Sequence, residues 1–210
     1  MKAIFSIYIF SLFFIMSCKK PDLEKGIVNG LVNDRTTNEG IPDATVYLLA
    51  HEPNGSIFGG GGGPSFTVDT TTSDTQGKFS FNFEYDDNYA YTCYALKDLY
   101  YDYNDEIPID ANIKDNINVQ ILLIPKSFLK LHIKDQEEYL ENYELRLVPF
   151  SSPFVVNAFM IDTVLIGSVN GNESFDFTWV LDSYITDEII INNATIYCPS
   201  FDTVLYEILY

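Results

Sequence analysis

Lys78-Phe79-Ser80-Phe81-Asn82-Phe83-Glu84 puts a phenylalanine at every second position and a polar or charged residue between. Side chains alternate between the two faces of a strand but recur every 3.6 residues on a helix. This period therefore predicts a half-buried strand with three rings on one face. Leu129-Lys130-Leu131-His132-Ile133-Lys134 repeats the pattern and places His132 with the lysines on the polar face. Ser174-Phe175-Asp176-Phe177-Thr178-Trp179 repeats it again and aims Trp179 at a core. Further strands are predicted over 27–32, 44–49, 89–96, 116–124, 143–148, 159–169, 189–191 and 203–209. No stretch sustains helical apolar spacing, and 136–140 supports one short turn at most. Many short strands separated by turn residues predict an all-β sandwich architecture.

The 210 residues carry 12 Lys+Arg against 30 Asp+Glu, a formal net charge of −18. With 47% hydrophobic and 15% aromatic residues, the chain is too apolar for a disordered acidic tail. Nucleic-acid binders neutralise phosphates with clustered Lys and Arg, so the charge argues against a nucleic-acid partner. Only Arg35 and Arg146, His51 and His132 are available as anion clamps or proton shuttles.

Met1-Lys2 is a short basic start, and residues 3–16 carry no charge. A membrane-spanning helix needs about 20 apolar residues, so this stretch fits the apolar region of a secretory signal peptide. It ends Ile15-Met16-Ser17-Cys18, followed by Lys19-Lys20-Pro21-Asp22. These residues resemble the lipobox of bacterial lipoproteins, with Met16 where a small or β-branched residue is usual. The resemblance implies cleavage after residue 17, diacylglycerol on the Cys18 thiol and an acyl chain such as palmitate on its amine. Several acyl chains hold a soluble domain stably at a bilayer. Lys19 rather than Asp after the cysteine implies the outer membrane, on its periplasmic or its cell-surface face. Residues 18–25 read as a tether whose lysines suit anionic head groups, while the acidic body is repelled from them.

Ile27-Val28-Asn29-Gly30-Leu31-Val32 leads to Gly40-Ile41-Pro42-Asp43-Ala44-Thr45-Val46-Tyr47-Leu48, and later Thr71-Thr72-Ser73-Asp74-Thr75-Gln76-Gly77-Lys78-Phe79 closes a hairpin. This grammar resembles the carboxypeptidase regulatory-like domain, which implies a seven-stranded prealbumin-like, Ig-like sandwich over residues 26–124. Asp74 and Gly77 bracket a tight turn, because Asp bonds its own backbone and Gly accepts positive φ. Pro42 presets φ in the turn before Ala44. The run Gly59–Gly63 lengthens the loop ahead of the hairpin and reads as a surface loop. It lacks the Lys and following helix of a phosphate cradle.

Pro125 restricts its predecessor and interrupts ladders, so it marks a boundary. Residues 125–210 supply about six strands and read as a second, smaller β domain of no recognised family. A single larger sandwich is the alternative. Beyond the strand rhythm, one half shows no repeat of the other.

Asp102, Asn104 and Glu106 offer oxygen donors at alternate positions, suited to Ca²⁺ but without the Gly and distal Glu of an EF-hand loop. They read first as solvated turn residues, and no other metal or cofactor is expected. Tyr100, Tyr101 and Tyr103 close a dense tyrosine stretch from Tyr85. Exposed, such rings would stack on sugar C–H faces; half-buried, they are ordinary strand residues. Cys93 and Cys198 either form a disulfide between the two domains or stay as buried free thiols. Asp69-Thr70-Thr71, Asp162-Thr163-Val164 and Asp202-Thr203-Val204 resemble an O-glycosylation signal of some Gram-negative envelopes. No catalytic residues are identified, because His51 and His132 stand far apart and no carboxylate pair stands out.

These readings converge on an outer-membrane lipoprotein with a non-catalytic binding or structural role, an accessory component of an envelope protein complex. A glycan-binding surface lipoprotein is the alternative, and a hydrolase the third reading.

Overall fold

The computed structural model describes residues 24–52, 64–102, 106–109, 117–136, 142–148, 154–158 and 161–210. Cys18, most of its tether, the glycine run, Tyr103 and Asn104 lie outside the described residues. Among the described residues every regular element is a strand. The first half holds β1 Glu24–Asp34, β2 Thr45–His51, β3 Ser65–Thr72, β4 Lys78–Tyr85, β5 Ala90–Leu96, β6 Ile107–Ile109 and β7 Ile117–Leu123. The second holds β8 Lys126–Lys134, β9 Tyr143–Val148, β10 Phe154–Asn157, β11 Asp162–Asn170, β12 Glu173–Ser183, β13 Ile189–Cys198 and β14 Thr203–Leu209.

β4 has the expected pleat: Phe79, Phe81, Phe83 and Tyr85 are buried, while Lys78, Ser80, Asn82 and Glu84 are exposed. Its rings fill a core with Val28, Val32, Val46, Leu48, Cys93, Val119, Ile121 and Leu123. A second, separate core gathers Leu129, Leu131, Ile133, Leu145, Leu147, Phe177, Leu181, Ile196, Cys198 and Ile208, with Trp179 half-buried against it. Two cores dispose of the single larger sandwich. Fully burying a side chain such as Phe81 or Phe177 contributes about 1.5–3 kcal/mol.

The first sandwich packs a sheet ordered β4-β1-β7 against one ordered β3-β2-β5-β6. The second packs β11-β8-β14 against β10-β9-β12-β13. Numbered from the start of each half, these are the same two orders. The directions agree as well. The opening strand lies antiparallel to the fourth and parallel to the seventh in both halves. The remaining pairs are antiparallel in both. The second domain therefore repeats the topology of the first, which corrects the reading that found no repeat. It has seven strands rather than six.

Local corrections follow from pairing. The strand expected over 159–169 is β11 Asp162–Asn170, with β10 as a separate strand before it. The strand expected over 189–191 runs on to Cys198 because β12 offers it ten register partners. β3 is the strand that Pro64-Ser65-Phe66 leads into, a largely exposed edge, while β6, an edge of three residues, was not anticipated.

The hairpin into β4 forms as its residues dictate. Asp74 Oδ1 accepts the backbone N–H of Gln76 at 2.8 Å and of Lys78 at 2.9 Å. Those two bonds hold its carboxyl below the usual carboxylate range. Gly77 has φ +77, and a Cβ there would sit 2.4 Å from the Val32 carbonyl oxygen.

Only Ile124 and Pro125 separate β7 from β8, and the surrounding turns seal the joint. Arg35 Nη2 donates to Glu173 Oε1 at 2.7 Å, and Asn172 Nδ2 donates to Thr36 Oγ1 at 3.0 Å. Lys126 receives the Phe201 N–H on its carbonyl at 2.7 Å and donates its own N–H to the Leu99 carbonyl at 2.8 Å. Leu99, Asn172 and Phe201 all take positive φ there, at 66°, 56° and 63°. For Leu and Phe that conformation is costly, so the joint is held by its contacts.

Candidate functional site: the far edge of the second sandwich

Of the tyrosine stretch, Tyr100 and Tyr101 follow the structural reading rather than the exposed one. Tyr100 is buried, its hydroxyl donates to Asp34 Oδ2 at 3.2 Å, and its ring meets Phe201 across the joint. Burial, with the Asp34 carboxylate beside it, pushes the Tyr100 hydroxyl up to about 12. Tyr101 is half-buried, with the Lys126 ammonium 5.4 Å from its ring centre. Tyrosine serves the joint here because a buried ring can still place its hydroxyl on a partner.

The alternate oxygen donors also part company. Glu106 Oε2 accepts the Thr92 hydroxyl at 3.0 Å and lies 3.1 Å from His51 Nε2. Asp102 instead lines a cleft of about 370 Å³ at the joint, with Asp43, Asp98, Lys97 and Lys126. Among the described residues, no three His, Cys, Asp or Glu side chains are grouped to hold a metal ion. Cys93 and Cys198 are both free, each buried in a different core. Burial pushes the Cys93 thiol up to about 12 and raises that of Cys198. The two histidines lie on different sandwiches. His132 sits between carboxylates, with Nε2 2.7 Å from Asp162 Oδ1 and Nδ1 3.3 Å from Glu207 Oε1.

A feature not anticipated from sequence is the β12–β13 hairpin. Ser183 Oγ accepts the N–H groups of Ile185 and Thr186, while Tyr184 N–H donates to the Asn142 carbonyl at 2.7 Å. This fixes a turn with Ile185 71% exposed at its tip and Tyr184 62% exposed beside it. β13 then leaves as the last strand of its sheet, paired only with β12 among the described strands. Ile189, Ile191 and Tyr197 are exposed along it, Ile191 at 61%. An unprotected edge with apolar side chains is a ready template for another strand.

Acids stand at this end of the sheet, Glu188 beside β13, Asp182 on β12 and Glu144 on β9. Glu188 Oε2 accepts the Tyr143 hydroxyl at 2.6 Å, and Glu144 Oε2 accepts that of Tyr184 at 3.1 Å. Asp182 and Glu144 both pair with Arg146. The edge also has a fixed place in the molecule. β1 runs from Glu24, opposite Tyr85, to Asp34 at the joint, roughly 35 Å at strand rise. β12 and β13 run from Glu173 and Cys198 near the joint to Asp182 and Ile189 at the far end. The chain's entry and the exposed isoleucines thus occupy opposite poles.

No protein-family model matches this chain. No curated protein matches it. Among solved structures it is similar to the TIE protein of Bacillus anthracis, at 12% identity and TM-score 0.41, covering 89% of this chain and 34% of that one. It is similar to a streptococcal ancillary pilin, at 10% identity and TM-score 0.40, covering 90% of this chain and 63% of that one. It is also similar to the minor pilin GBS52 of Streptococcus agalactiae, at 14% identity and TM-score 0.37, covering 88% and 94%. The chain thus spans about a third of the first of these proteins and under two thirds of the second.

Proposed function

We propose that this chain is an envelope lipoprotein, acylated at Cys18 after loss of residues 1–17, whose two sandwiches hold a partner protein in a non-catalytic complex at the outer membrane. The observation that carries this reading is the polarity just described. An anchor at Cys18 would enter at one pole, and the exposed β13 edge would project at the other. The occupant proposed is an extended partner segment with alternating apolar and basic residues, added as a strand beside β13. Its backbone would complete the ladder, its apolar side chains would cover Ile189 and Ile191, and a cation near the turn would meet Glu188. A second copy of this chain is a poorer fit, because a net charge of −18 opposes self-association.

Crosslinking in intact cells tests the reading, with crosslinked peptides mapped by mass spectrometry. The expected result is a stoichiometric envelope partner joined near residues 184–191 through a segment of alternating apolar and Lys/Arg residues. Ile191→Lys abolishes the crosslink and leaves the melting temperature unchanged. Capture that survives Ile191→Lys overturns the docking site. A Cys18→Ser chain that keeps the acyl mass and membrane fraction of the parent overturns the anchor.

A further inference from the structure

The two sandwiches share a topology, so equivalent faces can be compared residue by residue, and one of them differs in kind. On the outer face of the β4-β1-β7 sheet, Asn29 and Leu31 lie on the central strand, with Asn118 and Gln120 directly beside them on β7. Lys78 stands opposite Leu31 on β4. Asn33 continues the row on β1 and is roofed by Asn38, which stands in the following turn at φ 60°. These side chains line a groove of about 670 Å³. In the second sandwich the corresponding sheet, β11-β8-β14, exposes Val164, Ile166 and Leu205 around Lys130 and His132. The amides are thus no requirement of the fold.

We propose that this groove binds a neutral polyhydroxylated ligand, a stretch of glycan. Each amide carries both donors and an acceptor, as each sugar hydroxyl does, so neighbouring amides can take neighbouring hydroxyls in pairs. Among the described residues no carboxylate lines the groove, and Lys78 is the one lysine that does. That composition disfavours a cation, and a lone lysine is too little for a phosphate or sulfate. Leu31, 37% exposed, offers an apolar surface to sugar C–H groups. The volume falls in the range of small-molecule sites.

Asn33 adds an independent sign. It is 7% exposed, and its Nδ2 donates to the Asn38 carbonyl at 3.1 Å. Its Oδ1 has no donor. A buried acceptor without a donor is rare and costly in a native protein. A hydroxyl reaching the inner end of the groove as Asn38 shifts would satisfy it. Gly30, between the outward Asn29 and Leu31, is required by the core side of the sheet: a Cβ there would lie 2.3 Å from the Phe79 ring and 2.5 Å from the Val119 carbonyl oxygen.

The test uses the full chain on an array of neutral gluco-, manno- and galacto-oligosaccharides, with sialylated and sulfated glycans and a peptide library on the same array. The expected result is binding to neutral glycans, weakened at least tenfold by Asn118→Ala with Gln120→Ala and unchanged by Leu205→Ala on the equivalent face. The Asn33 side-chain amide resonances shift on titration with the bound oligosaccharide. Absence of neutral-glycan binding, equal binding by the double variant, or preference for charged glycans or peptides overturns the proposal. Ile191→Lys is expected to keep glycan binding, so failure of this site and failure of the partner edge are read separately.

Discussion

Tyr100 of the first sandwich meets Phe201 of the second edge to face, with ring centres 5.3 Å apart. Each ring is committed elsewhere as well. The Tyr100 hydroxyl is tied to Asp34, and the Phe201 N–H to the Lys126 carbonyl. One contact therefore couples the turn after β5, and through Asp34 the end of β1, to the turn before β14.

Phe201→Ala removes that ring pair, worth about 0.5–1.5 kcal/mol beyond the area it buries. The expected outcome is that urea unfolding, one transition in the parent chain, separates into two. The second sandwich is destabilised and the first keeps its midpoint. Intrinsic tyrosine and Trp179 fluorescence followed together will show whether the transitions part.

His132 gives the second sandwich a pH dependence of known sign. Its bonds to Asp162, then to Glu207, raise it above the ordinary 6.5 of a histidine. Its contribution is full below 6.5 and is lost as pH rises through the folded-state value. Asp162 is lowered from 3.8 by the same bond, so its contribution is present above 3.8 and is lost as pH falls through its lowered value. The melting temperatures of parent and His132→Ala should therefore differ most near pH 5 and converge above neutrality. A difference that grows with pH would contradict this pairing.

Gly77→Ala forces a side chain into positive φ and against the Val32 carbonyl. The expected loss is about 1–3 kcal/mol or more, read as a lower urea midpoint at unchanged slope.

Cys93 and Cys198 should resist alkylation in the folded protein and react together in guanidinium chloride. Both are buried, with thiols raised by burial, and only a thiolate attacks. Mobility on non-reducing gels should match that of the reduced chain.

Much of this architecture is written locally. The pleat of β4, the Asp74–Gly77 turn and the break at Pro125 follow from side-chain period, hydrogen-bonding chemistry and backbone restriction. The repeat is not. Residues 78–84 and 173–179 look alike, yet β4 corresponds in position to β11, whose sequence is Asp162-Thr163-Val164-Leu165-Ile166-Gly167-Ser168-Val169-Asn170, while β12 corresponds to β5. Aromatic alternation says only that a strand has one buried face. Its place in the sheet is set by partners far away in the chain. Tyr100 illustrates the same limit: its sequence left the exposed and the buried reading open, and nothing in its neighbours announces that Phe201 and Asp34 will enclose it. The amide groove draws on three separated strands and the turn at Asn38, so no single window of sequence contains it.

β1 and β7 are parallel neighbours bonded over seven register pairs, Val28–Ile117 to Asp34–Leu123. The chain enters the first sandwich at the start of β1 and leaves it at the end of β7. Tension between a point before Glu24 and the second sandwich would slide these strands along each other. Their ladder would then have to rupture as a set, whereas an unzipping hairpin yields one bond at a time. The same arrangement recurs in β8 and β14, with seven pairs from Thr203–Phe128 to Leu209–Lys134. A pull applied before Glu24 and at the end of β14 would therefore load both ladders in shear.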